Sequence, residues 1–335
     1  MDRIKIAIDK IREANCDMAV ISKSENIFYL AGFKPSARAF LILFDEPILM
    51  VNSMDVAEAE DISSVDVFEF KKLGDVKEKI GNLSPRSVIF EPSISLSTFK
   101  KLKSSFNFIV EDIIGNLRII KEKVEIDNIE RALKIAEKSF IETNVEGVEV
   151  KIAAELEYHM KIKGSKRPAF DTIVASGARS SNPHAEVSFN KIQTPIIIDW
   201  GATWEGYSSD TTRTIVTEKH EEELLDILLD AQREGVKTAK PGVKASYIDK
   251  VVRSIISEYG YGDNFIHSTG HGIGLEVHEP PSLSANENIK LEKNMIVTIE
   301  PGIYIKGEYG IRIEDMILIR RNPKILNTLP SIIKL

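Results

Sequence analysis

Four carboxylates and a tight group of histidines in the second half of the chain have the types and settings that hydrolytic metal chemistry requires. In IIIDWGATWEGYSSDTTRT, Asp199 ends the apolar run Ile196-Ile197-Ile198, where a carboxylate is costly unless it is paired or bound to metal. Gly201 and Gly206 let the chain turn back and bring Asp210 beside Asp199 on a neighbouring strand. Two solvated turn aspartates would explain this segment alone equally well. HSTGHGIGLEVHEPP sets His267, His271 and His278 among Gly270, Gly272 and Gly274, and three of the chain's six histidines fall within these twelve residues. Glycines there let the backbone approach a ligand closely. Glu300 ends MIVTIE just before Pro301-Gly302, and Glu314 lies inside IRIEDMILI. Strand alternation puts Arg312 and Glu314 on one face and Asp315 on the other. Glu314 therefore reads either as a ligand or as one half of a buried ion pair with Arg312.

Taken together, Asp199, Asp210, His271, Glu300 and Glu314 offer four carboxylates and one imidazole. Such donors suit Mn²⁺, Co²⁺, Fe²⁺ or Zn²⁺ and carry enough charge for two divalent ions. Two ions roughly 3.5–4 Å apart can activate a water and polarise a carbonyl.

The elements that must position these groups follow from periodicity. The pattern predicts a helix over 2–15, a buried strand at 18–21 and a hairpin of 39–44 with 48–51 across Asp45-Glu46-Pro47. Strands at 67–70, 87–92 and 106–111 complete a sheet covered by helices. No acid, base or metal constellation appears in this region, which reads as structural or substrate-restricting. Near 117–123 the pattern changes. Ile126, Ile129, Leu133, Ala136 and Phe140 then keep the helical period, behind Glu125 and Asp127 at the start. A second helix spans 149–162, followed by a strand at 172–176 and a long β segment from 196 to 216. The same order recurs with helices at 221–239 and 246–258 and strands at 295–300 and 311–319. Two helices and then strands, twice over, predict a duplicated α/β unit. The expected domains are 1–118 and 119–335.

Composition excludes other classes. A net charge of −7 gives no footprint for a nucleic-acid binder or a polybasic membrane contact. No stretch approaches the roughly 20 apolar residues of a membrane span. The charged N-terminal segment lacks a signal-peptide core. The single Cys16 excludes an internal disulfide framework, and a cytoplasmic location is expected.

The four motifs IIIDWGATWEGYSSDTTRT, FIHSTGHGIGLEVHE, MIVTIEPGIY and GIRIEDMILI resemble those of the creatinase/prolidase/methionine aminopeptidase superfamily, the "pita-bread" metallopeptidases. The resemblance covers roughly residues 120–330. The first domain resembles, by layout more than motif, the N-terminal domain of prolidases and Xaa-Pro aminopeptidases, which methionine aminopeptidases usually lack. The resemblance implies an α/β chain with a smaller creatinase-like domain before a pita-bread catalytic domain. It implies two metal ions, Mn²⁺ or Co²⁺ before Zn²⁺ or Fe²⁺, with Asp199 on one and Asp210 and Glu314 bridging both. His271 and Glu300 complete the second site, and Glu300 also takes a proton from the attacking water. His184, in ASGARSSNPHAEVS, and His278 match substrate-side histidines that polarise the carbonyl or hold the oxyanion. Arg312 matches an arginine that helps hold the site.

The implied activity is hydrolysis of the bond before proline in Xaa-Pro dipeptides, by a homodimer. An Xaa-Pro aminopeptidase acting on longer peptides is the alternative. A catalytically silent binding module or a creatinase-type amidinohydrolase fits less well, because all five ligand positions are present. Two features depart from the pattern. His278-Glu279-Pro280-Pro281-Ser282 lacks the arginine with which several prolidases hold a dipeptide's carboxylate. Trp200 stands where a smaller aliphatic residue is common, without evident chemical consequence.

Overall fold

The computed structural model describes residues 3–333. It divides into two compact units, Met1–Arg118 and Ile119–Leu335.

The first unit is a six-stranded mixed sheet with helices against it. Its strand order is Asp66–Glu69, Ile48–Val51, Phe40–Leu43, Met18–Ile21, Ser87–Phe90 and Asn107–Val110. The hairpin expected across Asp45-Glu46-Pro47 forms, with Leu41 opposite Leu49. Alternate residues Met18, Val20, Phe40, Ile42, Val88 and Phe90 meet Val76, Ile80 and Leu102 of two helices in one apolar cluster. The edge strands carry more exposed positions, as edges do when only one face is covered. Cys16 is buried just past the first helix.

The second unit repeats one order of elements. Helices Lys123–Glu142 and Glu149–Ile162 precede a three-stranded antiparallel sheet of Thr211–Ile215, Ile196–Trp200 and Ile173–Ser176. Helices Lys219–Thr238 and Ala245–Glu258 precede a five-stranded sheet centred on Ile296–Ile299. Both long helices begin the same way. Glu125 accepts a bond from Glu122 N at 2.9 Å, and Glu221 accepts one from Glu218 N at 3.2 Å. Each thereby satisfies a donor that a helix start leaves open. The helix faces are paid for by burial of Ile129, Leu133 and Ala136 in one half and Leu224, Leu228 and Ala231 in the other.

One turn expected from the sequence forms, one run that reads as a single strand breaks, and both serve the site. Between 196 and 216 the chain forms Ile196–Trp200, a tight hairpin of Thr203–Trp204 with Tyr207–Ser208, and Thr211–Ile215. Glu205 and Gly206 turn that hairpin with φ of 45° and 82°. The fold-back registers Thr212 opposite Asp199. The run 311–319 splits into Tyr309–Arg312 and Asp315–Leu318. At the break Glu314 leaves its own sheet and bridges to Thr212 of the other, its N–H donating to Thr212 O at 3.1 Å. The three-stranded and five-stranded sheets are stitched together there.

Candidate active site

Asp199 and Trp200 show how the local sequence aims a carboxylate. Neighbours on a strand point to opposite faces. Trp200 is fully buried, stacks on Phe140 with ring centroids 4.6 Å apart, and donates its indole N–H to Ala136 O at 3.0 Å. With the indole locked against the helix, Asp199 faces the opposite side and lines a cavity of ≈ 1120 Å³. The tryptophan with no chemical role thus has a positioning one.

The cavity floor gathers the remaining candidates. The ligand atoms of Asp210, His271 and Glu314 lie within 4.8 Å of one another. His271 Nε2 stands 3.6 Å from Asp210 Oδ2, 3.5 Å from Glu300 Oε1 and 4.0 Å from Glu314 Oε1. The strand bearing His271 packs so closely that a Cβ on Gly270 would sit 2.0 Å from Thr298 O, so only glycine fits beside the histidine. His278 meets His271 edge to face at 4.3 Å. His184 and His278 line the same cavity, as does Arg312. His267 lines it too, so the five expected ligands, the three histidines beside them and Arg312 all converge on one cavity.

Arg312 resolves the choice left open for Glu314. Its Nη2 donates to Asp199 Oδ2 at 2.7 Å, so its carboxylate partner is Asp199. Asp315, on the other face, pairs instead with Arg213 at 2.7 Å. Glu314 Oε2 accepts the hydroxyl of Thr212 at 2.9 Å, and Thr212 Oγ1 accepts Arg312 Nε at 3.1 Å. Arg312 Nη1 donates to the Tyr304 hydroxyl at 2.8 Å, which also contacts His267 Nε2 at 3.0 Å. Thr212 and Tyr304 escaped the sequence reading. Thr212 could have been found, since it follows Asp210 by two positions on the same strand face. Tyr304 reaches the site by hairpin geometry and gave no such signal.

The electrostatics of the floor call for cations. Asp199 Oδ1, Asp210 Oδ1 and Glu314 Oε1 are buried and have no hydrogen-bond partner. Burial and then the Glu314 charge push Asp210 well above the usual carboxylate range, and burial and then Glu314 do the same to Glu300. Glu314 is pushed up to about 8 by burial and then by Asp199. Carboxylates this close cannot all ionise without a positive charge among them. Burial and then His278 pull His271 down to about 4, leaving a neutral imidazole at neutral pH, the form that ligates metal. Buried oxygens without partners, neutral nitrogen and crowded carboxylates fit divalent metal ions.

Comparison with known proteins agrees with this geometry. The model of metallopeptidase family M24 matches residues 127–321, and that of the creatinase/prolidase N-terminal domain matches residues 3–120. The Xaa-Pro dipeptidase of Pyrococcus furiosus is 40% identical over 335 residues, 96% of each chain. The prolidase structure from Pyrococcus horikoshii superposes with a TM-score of 0.94 at 38% identity, covering 99% of this chain and 100% of that one. The X-Pro aminopeptidase from Thermotoga maritima matches with a TM-score of 0.92 at 36% identity, covering 100% of both.

Proposed function

The chain belongs to metallopeptidase family M24, and we propose that it hydrolyses the peptide bond preceding proline in Xaa-Pro dipeptides through a dinuclear metal centre. The observation that carries the metal centre is the set of three buried, partnerless carboxylate oxygens on the cavity floor, of Asp199, Asp210 and Glu314, the last two grouped with His271. The ligands are Asp199, Asp210, His271, Glu300 and Glu314. The ions, Mn²⁺ or Co²⁺ by preference, supply Lewis-acid polarisation of the carbonyl and acidify a water.

The protein's own groups do the rest. Glu300 accepts a proton from the attacking water, whose oxygen bonds to the scissile carbonyl carbon. The same carboxyl returns a proton to the proline nitrogen as the C–N bond breaks. His278 and His184 donate to the oxygen that gains charge, in a cavity where hydrogen bonds to a developing anion count most. Arg312 holds Asp199 in place through its 2.7 Å bond. The reading also carries a homodimer in the cytoplasm, a compartment that suits the lone buried Cys16.

One observation favours a second substrate length. Among the described residues, no lysine lines the cavity, and its single arginine, Arg312, is committed to Asp199. The free carboxylate of a dipeptide finds no uncommitted cation, which supports an Xaa-Pro aminopeptidase acting on longer peptides as the alternative. No ligand position is lost, so a silent binding module gains no support.

The test compares Met-Pro with Met-Pro-Gly-Gly, with added Mn²⁺ or Co²⁺ and with EDTA. Metal-dependent cleavage of the dipeptide supports the prolidase reading, and cleavage of the longer peptide alone supports the aminopeptidase. Cleavage of neither by metal-loaded protein removes the proline specificity.

A further inference from the structure

Glu149 opens the helix Glu149–Ile162 and is fully buried, at 0% exposure. A carboxylate so placed is costly unless both oxygens are satisfied. Both are, and the donors come from the two stems of one loop. Oε1 accepts the backbone N–H and the hydroxyl of Ser176, each at 2.9 Å. Oε2 accepts the Ser188 N–H at 3.0 Å, the Ser188 hydroxyl at 2.6 Å and Arg179 Nε at 3.1 Å. Ser176 ends the strand Ile173–Ser176, and Ser188 lies four residues past His184.

The loop is also tied at its ends by Gly177 N–H, which donates to Gln193 O and Pro195 O at 2.9 Å, and by Val150 N–H, which donates to Ser188 O at 3.0 Å, and along its length by the Tyr309–Arg312 strand and its lead-in. Gly310 N donates to Ser180 Oγ at 2.8 Å, and Arg312 Nη1 donates to Pro183 O at 3.4 Å. His184 itself is exposed, and its backbone N–H donates to Asn182 Oδ1 at 3.3 Å. The position of its ring over the cavity therefore follows from the backbone path between the two stems. Apolar side chains could close the space beneath the loop without the desolvation cost of a charge. A carboxylate, with two acceptor oxygens, collects donors from both stems at once and ties the stems to one another.

We infer that Glu149 is a positioning residue for hydrolysis, locking both stems of the 177–188 loop so that His184 stands at a fixed height over the reacting carbonyl. The inference rests on His184 being a substrate-side histidine. Displacing a catalytic group by about 1 Å can cost up to about 100-fold in rate.

A double-mutant cycle tests it. Glu149→Gln with undiminished bound metal should lower kcat/KM by about 10- to 100-fold in the wild-type background. In a His184→Ala background the same substitution should cost no more than about threefold, because the group it positions is gone. Equal losses in both backgrounds, or no loss in either, would overturn the inference. So would a fall in activity fully matched by a fall in bound metal. If Glu149→Gln does not fold, Ser188→Ala, which removes the 2.6 Å bond to Glu149 and the acceptor of Asn190 N–H, goes through the same cycle and is judged by the same non-additivity. A His184→Ala enzyme as fast as wild type would instead overturn the reading of His184, and this inference with it.

Discussion

Arg312 and Asp199 form a buried ion pair, Nη2 to Oδ2 at 2.7 Å, that leaves Asp199 Oδ1 buried and without a partner. One oxygen is held by the protein and the other is offered to the cavity. The guanidinium does this while its Nε reaches Thr212 and its Nη1 reaches Tyr304. Three directions from one planar group cannot be copied by an ammonium. Arg312→Lys should therefore lower hydrolysis or metal affinity by about 10- to 100-fold, the usual cost of losing an outer partner of a ligand. Steady-state rates with metal titration would show it, and a rate within twofold of wild type would contradict it.

The pH behaviour of the metal-free protein follows from the crowded floor. Glu314 has its folded pKa raised to about 8 from 4.5, so between those values the folded state holds a proton that the unfolded state has released. His271, lowered to about 4, works the other way up to its unfolded value of 6.5, so stability of the metal-free protein must fall as pH rises from about 6.5 to about 8, by up to about 1.4 kcal/mol per pH unit for each retained proton. Metal binding displaces the proton and should remove the slope. Thermal melts at about pH 6.5 and about pH 8, with EDTA and with Mn²⁺, check this. A metal-free melting temperature that rises across the window would contradict the shift.

The charge of the cavity wall makes a prediction about substrates. Glu157, Asp171, Glu186 and Glu287 line it beside the ligand carboxylates. Lys-Pro should be cleaved with a kcat/KM about tenfold above Asp-Pro at low ionic strength. The gap should narrow as salt screens the wall. Equal values at low salt would show that these carboxylates do not face the substrate.

Lys121 pairs with Glu279, the residue directly after His278 in the chain, at 3.2 Å, with side chains only 1% and 3% exposed. Lys121→Met would leave Glu279 buried without its cation. The expected loss is about 3–5 kcal/mol of stability, read by denaturant unfolding of the metal-loaded protein. Adding Glu279→Gln should recover part of it, and a Lys121→Met protein of unchanged stability would contradict the account.

These relationships mark where the sequence could and could not be read. Asp199, Glu300 and Glu314 were visible because a charge closing or interrupting an apolar strand asks for an explanation. The helix 149–162 and the strand 18–21 followed from local periodicity and turn residues alone. The turn at 201–210 was marked by Gly201 and Gly206, but the break at 313–314 had no local mark, because it is set by pairing between strands distant in sequence, as Glu314 with Thr212 shows across 102 residues. Lys121 and Glu279 are separated by 158 residues, and neither position hints at the other. Glu149 is, in the sequence, only the first residue of the helix 149–162; the fold reveals the two loop stems around it.

The central claim is that the floor of this cavity is a hydrolytic metal centre in which Glu300 carries the proton. Hydrolysis of Met-Pro by Glu300→Gln, measured with Mn²⁺ in excess and beside wild type, tests it most directly. The account predicts that turnover is abolished, because the amide cannot accept the proton of the attacking water, while the protein stays folded. Turnover at the wild-type rate would contradict the role of Glu300 as base.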